Sequence, residues 1–235
     1  MRWLSIRNII FSDHFGSWTG ALFFSFWIGQ RVYFHYEKLF RLSLYAFIWW
    51  LITFQFFLFV ISYMTRTKAR VHASGFIESV FPFICAAIPF ALLVKYPYVP
   101  PTYGIPYLKL LLILLELGGT LFIVAGILFL RKSFSIMTEV RKPVFIGIYG
   151  ISRHPMYVGS IMTTLGTLFQ YFGWLNCFFF IMLCICQSYR AIREENKIMT
   201  VYSEYRAYAS NVGWVWKLGR RKRLDRNKTI GSKNS

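Results

Sequence analysis

LSLYAFIWWLITFQFFLFVISYM is the sequence between Leu42 and Met64, in which Gln55 is the only strongly polar side chain. A helix needs about 20 consecutive apolar residues to cross the hydrocarbon core of a bilayer. This run is long enough to do so without interruption. The sequence therefore predicts a membrane-spanning helix at this position.

The composition of the whole chain agrees with a membrane protein. Of its 235 residues, 56% are hydrophobic and only 15% are charged, whereas soluble domains carry about a quarter charged residues. The net charge of +18 raises the question of nucleic acid. However, the basic residues lie between the apolar runs and in the tail, as expected for loops on the cytoplasmic side of a membrane. The expected partner is therefore the lipid bilayer, and no nucleic acid.

Three further apolar stretches are candidate spans. Residues 16–36 form the weakest, because Gln30 and Arg31 interrupt it, and residues 75–96 contain two prolines. Residues 107–130 carry Glu116 near the middle and several small residues between positions 118 and 126, which permit close contact with another helix. An ionisable residue inside a span is a functional candidate, with a neutral or hydrogen-bonded carboxyl as the alternative. We expect an all-α, polytopic transmembrane helical protein with about four spans in residues 1–130.

The character of the chain changes after Leu130. Residues 131–155 are polar and basic and contain Gly and Pro; such irregular backbone occurs in a bilayer only where it lines a protein cavity. Residues 156–172 and 175–189 are two short apolar segments that predict a helical hairpin. A cytoplasmic polar helix should follow from residue 190 to about 209. We therefore expect a catalytic region at residues 131–216 and a basic tail at 217–235.

The positions of the basic residues predict an orientation. Arg2 and Arg7, the group at residues 66–70, the linker 131–153 and the tail all fall on one side if each span crosses once. Both termini would then be cytoplasmic. Three basic residues disagree with this scheme, which puts them outside: Arg31, Lys38 and Arg41.

Two polar clusters flank the predicted hairpin. The first is GIYGISRHPMYVG at residues 147–159, and the second contains Arg190, Glu194 and Glu195. Taken separately, the first is also typical of an interfacial aromatic belt, and the second of an exposed ion pair worth little. A hairpin returns its two ends to the same side of the membrane. We therefore expect the clusters to meet and form a polar pocket.

In combination, these elements resemble the superfamily of isoprenylcysteine carboxyl methyltransferases and phospholipid methyltransferases, which are integral membrane enzymes. The resemblance covers roughly residues 131–214 and rests on arginine-histidine-proline-x-tyrosine-x-glycine followed by a glutamate pair, with a tyrosine-rich segment after it at residues 202–208. It implies S-adenosyl-L-methionine as cofactor and no metal. It also implies cofactor-binding residues, which are Glu139, Arg141, Lys142, Pro143, Val144, Tyr149, His154, Pro155, Met156, Tyr157 and Glu194.

The resemblance further implies that Arg190 binds the methyl acceptor, and that Arg190, Glu194 and His154 are catalytic. The acceptor is expected to be lipid-like or prenylated. A prenylcysteine carboxylate suits the cationic Arg190 best, while a phospholipid amine such as phosphatidylethanolamine and a thiol are alternatives. A sterol-type reductase using NADPH, which has a comparable C-terminal hairpin, is the alternative from a different class; the glutamate pair favours the methyltransferase.

Overall fold

The computed structural model describes residues 13–36, 43–91 and 105–214. Within these ranges the chain is helical, and the only β pairing described is an isolated bridge between Val71 and Val140. The predicted all-α class is confirmed. Two short 3₁₀ turns, Arg131–Ser133 and Gly147–Gly150, accompany eight α-helices, which are α1 Asp13–His35, α2 Leu44–Thr65, α3 Gly75–Ser79, α4 Phe81–Ala91, α5 Pro106–Leu130, α6 Pro155–Gln170, α7 Trp174–Met199 and α8 Glu204–Asn211.

Three helices of the described ranges are long and apolar enough to cross a bilayer. They are Ala46–Thr65, Pro106–Ser133 and Trp174–Met199. The stretch expected as a third span, residues 75–96, is divided at Val80 into α3 and α4, and its part beyond residue 91 lies outside the described residues. The expected number of about four spans is therefore only approximate, and α7 is an additional candidate span.

Helix α2 has two faces that differ in their neighbours. Its outward side chains recur at helical spacing and are exposed, as expected for contact with lipid. Its inward side chains pack on α1, where the rings of Phe24 and Phe59 stack at 4.4 Å. Tyr63 is fully buried in the same core and accepts a hydrogen bond from the Ile136 amide at 2.8 Å. The exposed side chains are Phe47, Trp50, Phe54, Phe57 and Ile61.

Helices α5 and α6 approach each other closely through glycines. A Cβ added to Gly119 would lie 2.6 Å from the Gly159 carbonyl oxygen, so a larger residue would push the helices apart. The expected helix contact through small residues of α5 is confirmed at this position. Glu116 is buried in the same interface and accepts hydrogen bonds from Thr167 Oγ1 and Gln170 Nε2, each at 2.9 Å.

Helices α6 and α7 form the expected hairpin, but the second helix is longer than predicted. The sequence suggested one helix from residue 190 to 209; instead α7 continues to Met199, and α8 begins at Glu204. The chain turns here because Tyr202 and Tyr205 pack against the fully buried Val140. This contact between distant parts of the chain overrides the local helical pattern.

The structure explains one of the three discordant basic residues. Arg31 lies in α1 with its side chain turned toward α2, where its Nη2 donates to the Trp49 carbonyl oxygen at 3.1 Å. It is a partly buried helix residue, so it does not count as a loop charge. Lys38, Arg41, Arg2, Arg7 and the basic tail lie outside the described residues.

Candidate active site

One cavity of about 340 Å³ lies between the ends of α5, α6 and α7 and the segment that follows α5. Its volume is within the range of small-molecule sites. Every residue to which the resemblance gave a role lines it: Glu139, Arg141, Lys142, Pro143, Val144, Tyr149, His154, Pro155, Met156, Tyr157, Arg190 and Glu194. The two polar clusters therefore share one wall, as the hairpin argument predicted.

The two clusters meet through Tyr157, Arg190 and Glu194. The Tyr157 hydroxyl donates a hydrogen bond to Glu194 Oε1. The Arg190 guanidinium lies over the Tyr157 ring, 5.0 Å from its centroid, and its Nη2 is 3.6 Å from Glu194 Oε1. Since Arg190 is only 5% exposed, the alternative of an exposed surface ion pair is wrong.

The guanidinium of Arg190 is held on two sides. Nη2 donates to the Ile136 carbonyl oxygen at 2.9 Å, and Nη1 donates to Gln187 Oε1 at 3.4 Å. Nε is buried and has no hydrogen-bond partner among the described residues. A buried cationic donor without an acceptor is costly unless a ligand supplies one. Arg190 is therefore placed to receive an anionic group.

Glu139 organises the segment that follows α5. Its Oε2 accepts from Arg141 Nη2 at 2.7 Å, Ser135 Oγ at 2.8 Å and Arg66 Nη1 at 3.2 Å. The side chains of Glu139 and both arginines are only 2% exposed. Burial of a charge requires such pairing. This carboxylate therefore fixes the cavity wall, and Arg66 ties that wall to α1 through Ser17 Oγ at 2.7 Å.

His154 and Glu195 form a second charged pair beside the first cluster. His154 Nε2 is 2.8 Å from Glu195 Oε1, and Arg153 Nε is 3.2 Å from the same oxygen. The imidazole also stacks parallel to the Tyr157 ring at 5.3 Å. The ring is thus held against Tyr157 by Glu195, a residue to which sequence reasoning gave no separate role.

The tyrosines of α8 close one side of the cavity. Tyr208 donates from its hydroxyl to the Tyr149 carbonyl oxygen at 2.6 Å, and Tyr205 also lines the cavity. Burial raises the pKa of Tyr149 far above its usual range, and the neighbouring Tyr208 and Glu194 act in the same direction. The phenol of Tyr149 therefore stays neutral. The tyrosine-rich ending was part of the resemblance, but the contribution of these rings to the wall was not predicted.

A further ion pair holds the cavity segment from behind. Lys197 Nζ donates to Glu78 Oε2 at 2.6 Å and to the Thr138 carbonyl oxygen at 2.9 Å, while the Thr138 amide donates to the Glu78 carbonyl oxygen at 2.9 Å. Burial would raise the pKa of Glu78, but the hydrogen bonds from Lys197 and Ser74 outweigh it and hold that pKa below its ordinary value. Glu78 is therefore a charged anchor for residues near Thr138.

The N-terminal helices also reach the cavity, which the sequence gave no reason to expect. They supply an apolar part of the lining at Phe24, Ile52, Phe56 and Phe59, with Arg31 and Gln55 among them. The cavity thus has a polar end at the hairpin and an apolar arm between the first helices. A ligand with a charged group and a hydrocarbon tail fits both parts.

Comparison with known proteins agrees with this geometry. Residues 110–205 match the family model described as phospholipid methyltransferase. No curated protein and no solved structure matches the chain. The matched residues include both clusters and the whole hairpin between them, and the match supports a membrane methyltransferase. Residues 110–205 are therefore similar to the phospholipid methyltransferase family, in agreement with the resemblance to the superfamily of integral membrane methyltransferases found in the sequence.

Proposed function

We propose that the protein is an S-adenosylmethionine-dependent methyltransferase that acts on a lipid-like acceptor, with a prenylcysteine carboxylate as the first candidate. The observation that supports this proposal is that charged and apolar side chains line one cavity. A cationic and an anionic side chain, Arg190 and Glu194, stand at one end, and an apolar arm extends from the other. Such a cavity suits a charged cofactor beside an amphipathic acceptor.

The polar groups fit the charges of the proposed cofactor. S-adenosylmethionine, when bound, supplies an electrophilic methyl group on its sulfonium and carries one ammonium and one carboxylate. Glu194 has a partly exposed carboxylate that can accept from an ammonium. The ring of His154 can donate to the cofactor carboxylate, while the Nε of Arg190, which has no hydrogen-bond partner among the described residues, is left for the acceptor. The adjacent neutral rings of Tyr149 and Tyr157 suit a flat, weakly polar base.

For a carboxylate acceptor, the side chains need only position it and exclude water. A carboxylate is already an anion, so no proton has to be removed before attack. The fixed guanidinium of Arg190 would orient it, since Ile136 and Tyr157 hold that group in one place. Positioning of two reactants in a dry site accounts for a large part of many rate enhancements.

A phospholipid amine is the second candidate, favoured by the description of the matching family model. An ammonium headgroup must lose a proton before it can attack. His154, paired with Glu195, and the carboxylate of Glu194 are the groups available to accept it. The two candidates therefore differ in their need for a base, which pH dependence of the rate would reveal.

We also propose that the catalytic region and both termini face the cytoplasm. The basic group at residues 66–70 and the basic linker 131–153 support this orientation. Residues Arg66 and Glu139 pair directly, so these two segments lie on the same side of the helices.

The test is cofactor binding followed by labelled methyl transfer, using the full chain in detergent or lipid discs. Calorimetry should show binding of S-adenosylmethionine or its demethylated product, with NADPH as the control ligand. Label should then pass to one of three acceptors: farnesylated N-acetylcysteine, phosphatidylethanolamine or a small thiol. Binding of NADPH alone would overturn the methyltransferase proposal, and transfer to the amine but not to the prenylcysteine would overturn the choice of acceptor.

A further inference from the structure

The lining of the apolar arm includes a cation, Arg31. Phe24 and Arg31 are seven residues apart on α1 and so lie on one helix face, and both line the cavity. On α2, Ile52, Phe56 and Phe59 line the same space. Arg31 is thus a charged residue among hydrocarbon and aromatic side chains, and nothing in the proposed transfer chemistry uses it.

The guanidinium of Arg31 is fixed in place by α2. Its Nε donates to Thr53 Oγ1 at 3.2 Å and its Nη2 donates to the Trp49 carbonyl oxygen at 3.1 Å. It also lies over the rings of Trp49 and Phe56, at 5.2 and 6.0 Å from their centroids. Among the described residues no carboxylate lies within 4.0 Å of it. The contacts described for this charge are therefore with neutral acceptors and aromatic faces.

The distance between Arg31 and the transfer end of the cavity can be estimated from the spacing of their partners on α2. Tyr63 binds the Ile136 amide, and the carbonyl of Ile136 binds Arg190, so Tyr63 marks the level of the transfer end. Thr53 binds Arg31 and so marks the level of that guanidinium. The two positions are ten residues apart on one helix, which corresponds to about 15 Å at 1.5 Å per residue.

We propose that Arg31 determines acceptor specificity by closing the far end of the apolar arm, which would hold the hydrocarbon tail of the acceptor. Tails longer than about 15 Å are then disfavoured. This inference rests on the proposed lipid-like acceptor. A tail that reached past this level would have to displace a guanidinium held at two acceptors and bury it against hydrocarbon. Burial of an unpaired charge in an apolar environment is strongly unfavourable. A shorter tail would fill the arm and leave these hydrogen bonds intact.

The experiment compares tail-length preference in three forms of the full chain. Arg31→Met keeps the unbranched stem and removes the charge, so it should open the end of the arm. Thr53→Val removes one acceptor of Arg31 but keeps the cation and its hydrogen bond to the Trp49 carbonyl oxygen. Thr53 itself is not among the residues that line the cavity. The probes are N-acetylcysteines carrying geranyl, farnesyl or geranylgeranyl groups.

Two measurements are made with each probe: KM for methyl transfer, and the rise in unfolding temperature in the presence of the demethylated cofactor. For the wild type, the longest probe should bind at least about tenfold more weakly than the best one, because its end would have to displace the Arg31 guanidinium from its two acceptors. Arg31→Met should abolish or reverse this difference, and Thr53→Val should retain it.

If Arg31 only ties α1 to α2, both variants should lower the unfolding temperature and leave the tail-length profile unchanged, and the proposal is then overturned. Absence of methyl transfer together with absence of cofactor binding would instead refute the proposed function. The thermal measurement still decides the role of Arg31 in that case, because it needs no turnover. An unchanged stabilisation by all three probes in Arg31→Met would contradict it.

Discussion

Replacement of Glu78 by Gln should destabilise the protein and loosen the cavity wall near Thr138. The change removes one strong charge-assisted hydrogen bond, from Lys197 at 2.6 Å, whereas the partner Arg193 is 3.4 Å away and 46% exposed. Hydrogen bonds to charged groups contribute about 1.5–3 kcal/mol. For a chain of this size that corresponds to a fall of about 3–12 °C in unfolding temperature. Affinity for the cofactor should fall in parallel.

The stability difference between the wild type and Glu78→Gln should depend on pH. The pKa of Glu78 is lower in the folded protein than its ordinary value, so its stabilisation is present at neutral pH and is lost as the pH falls through the folded pKa. The unfolding temperatures of the wild type and Glu78→Gln should therefore differ at pH 7 and begin to converge as the pH falls below the ordinary pKa of Glu, about 4.3. Arg193→Gln is the matched control, and an exposed partner of this kind should contribute less than about 1 kcal/mol.

Thermal unfolding in detergent, monitored by circular dichroism between pH 3.5 and 8, makes the comparison. A gap between the wild type and Glu78→Gln that persists unchanged at the lowest pH would refute the electrostatic explanation. Equal losses in Glu78→Gln and Arg193→Gln would show that Lys197 is not the dominant partner.

Three other predictions concern the site, the interior and the orientation. Glu194→Gln should weaken cofactor binding about 10- to 150-fold, the equivalent of about 1.5–3 kcal/mol. Arg190→Lys loses the planar fork and should mainly lower the rate with the acceptor. Calorimetry and steady-state kinetics separate the two effects, and parallel losses of cofactor affinity would contradict this division. Glu116→Gln should change the free energy of unfolding by less than about 1 kcal/mol, because the amide oxygen still accepts from Thr167. Glu116→Leu leaves the donors unsatisfied and should lower that free energy by about 1–3 kcal/mol. Thermal unfolding tests this, and equal effects of the two variants would point to a role for the charge. Reporter fusions should place both termini in the cytoplasm, and an external C-terminal reporter would reverse the topology.

Local patterns were sufficient to predict the features that depend on short-range periodicity. The apolar run in α2 gave its position, and the small residues of α5 indicated a close helix contact, which Gly119 makes with Gly159. The meeting of the two polar clusters also followed from the sequence, because a short hairpin leaves its ends little freedom. These inferences need only one or two adjacent elements.

Features that depend on distant parts of the chain could not be predicted. Glu139 pairs with Arg66, 73 residues away, and Glu78 pairs with Lys197, 119 residues away. No periodicity or spacing encodes such a partner. For the same reason the lining contributed by α1 and α2 was missed, and the end of α7 at Met199 was misplaced, since packing on Val140 determines where the chain turns.

The burial of Glu116 has a consequence for the order in which the helices enter the membrane. Its donors, Thr167 and Gln170, follow it by 51 and 54 residues. At roughly 5–20 residues per second, the ribosome delivers them about 3–10 s after Glu116. During that interval the carboxyl group opposes insertion by about 2.5–3.5 kcal/mol, and only the many Leu and Ile residues of its helix offset it. Substitutions of Thr167 or Gln170 should therefore reduce the amount of protein assembled in the cell, even where the purified enzyme retains its activity.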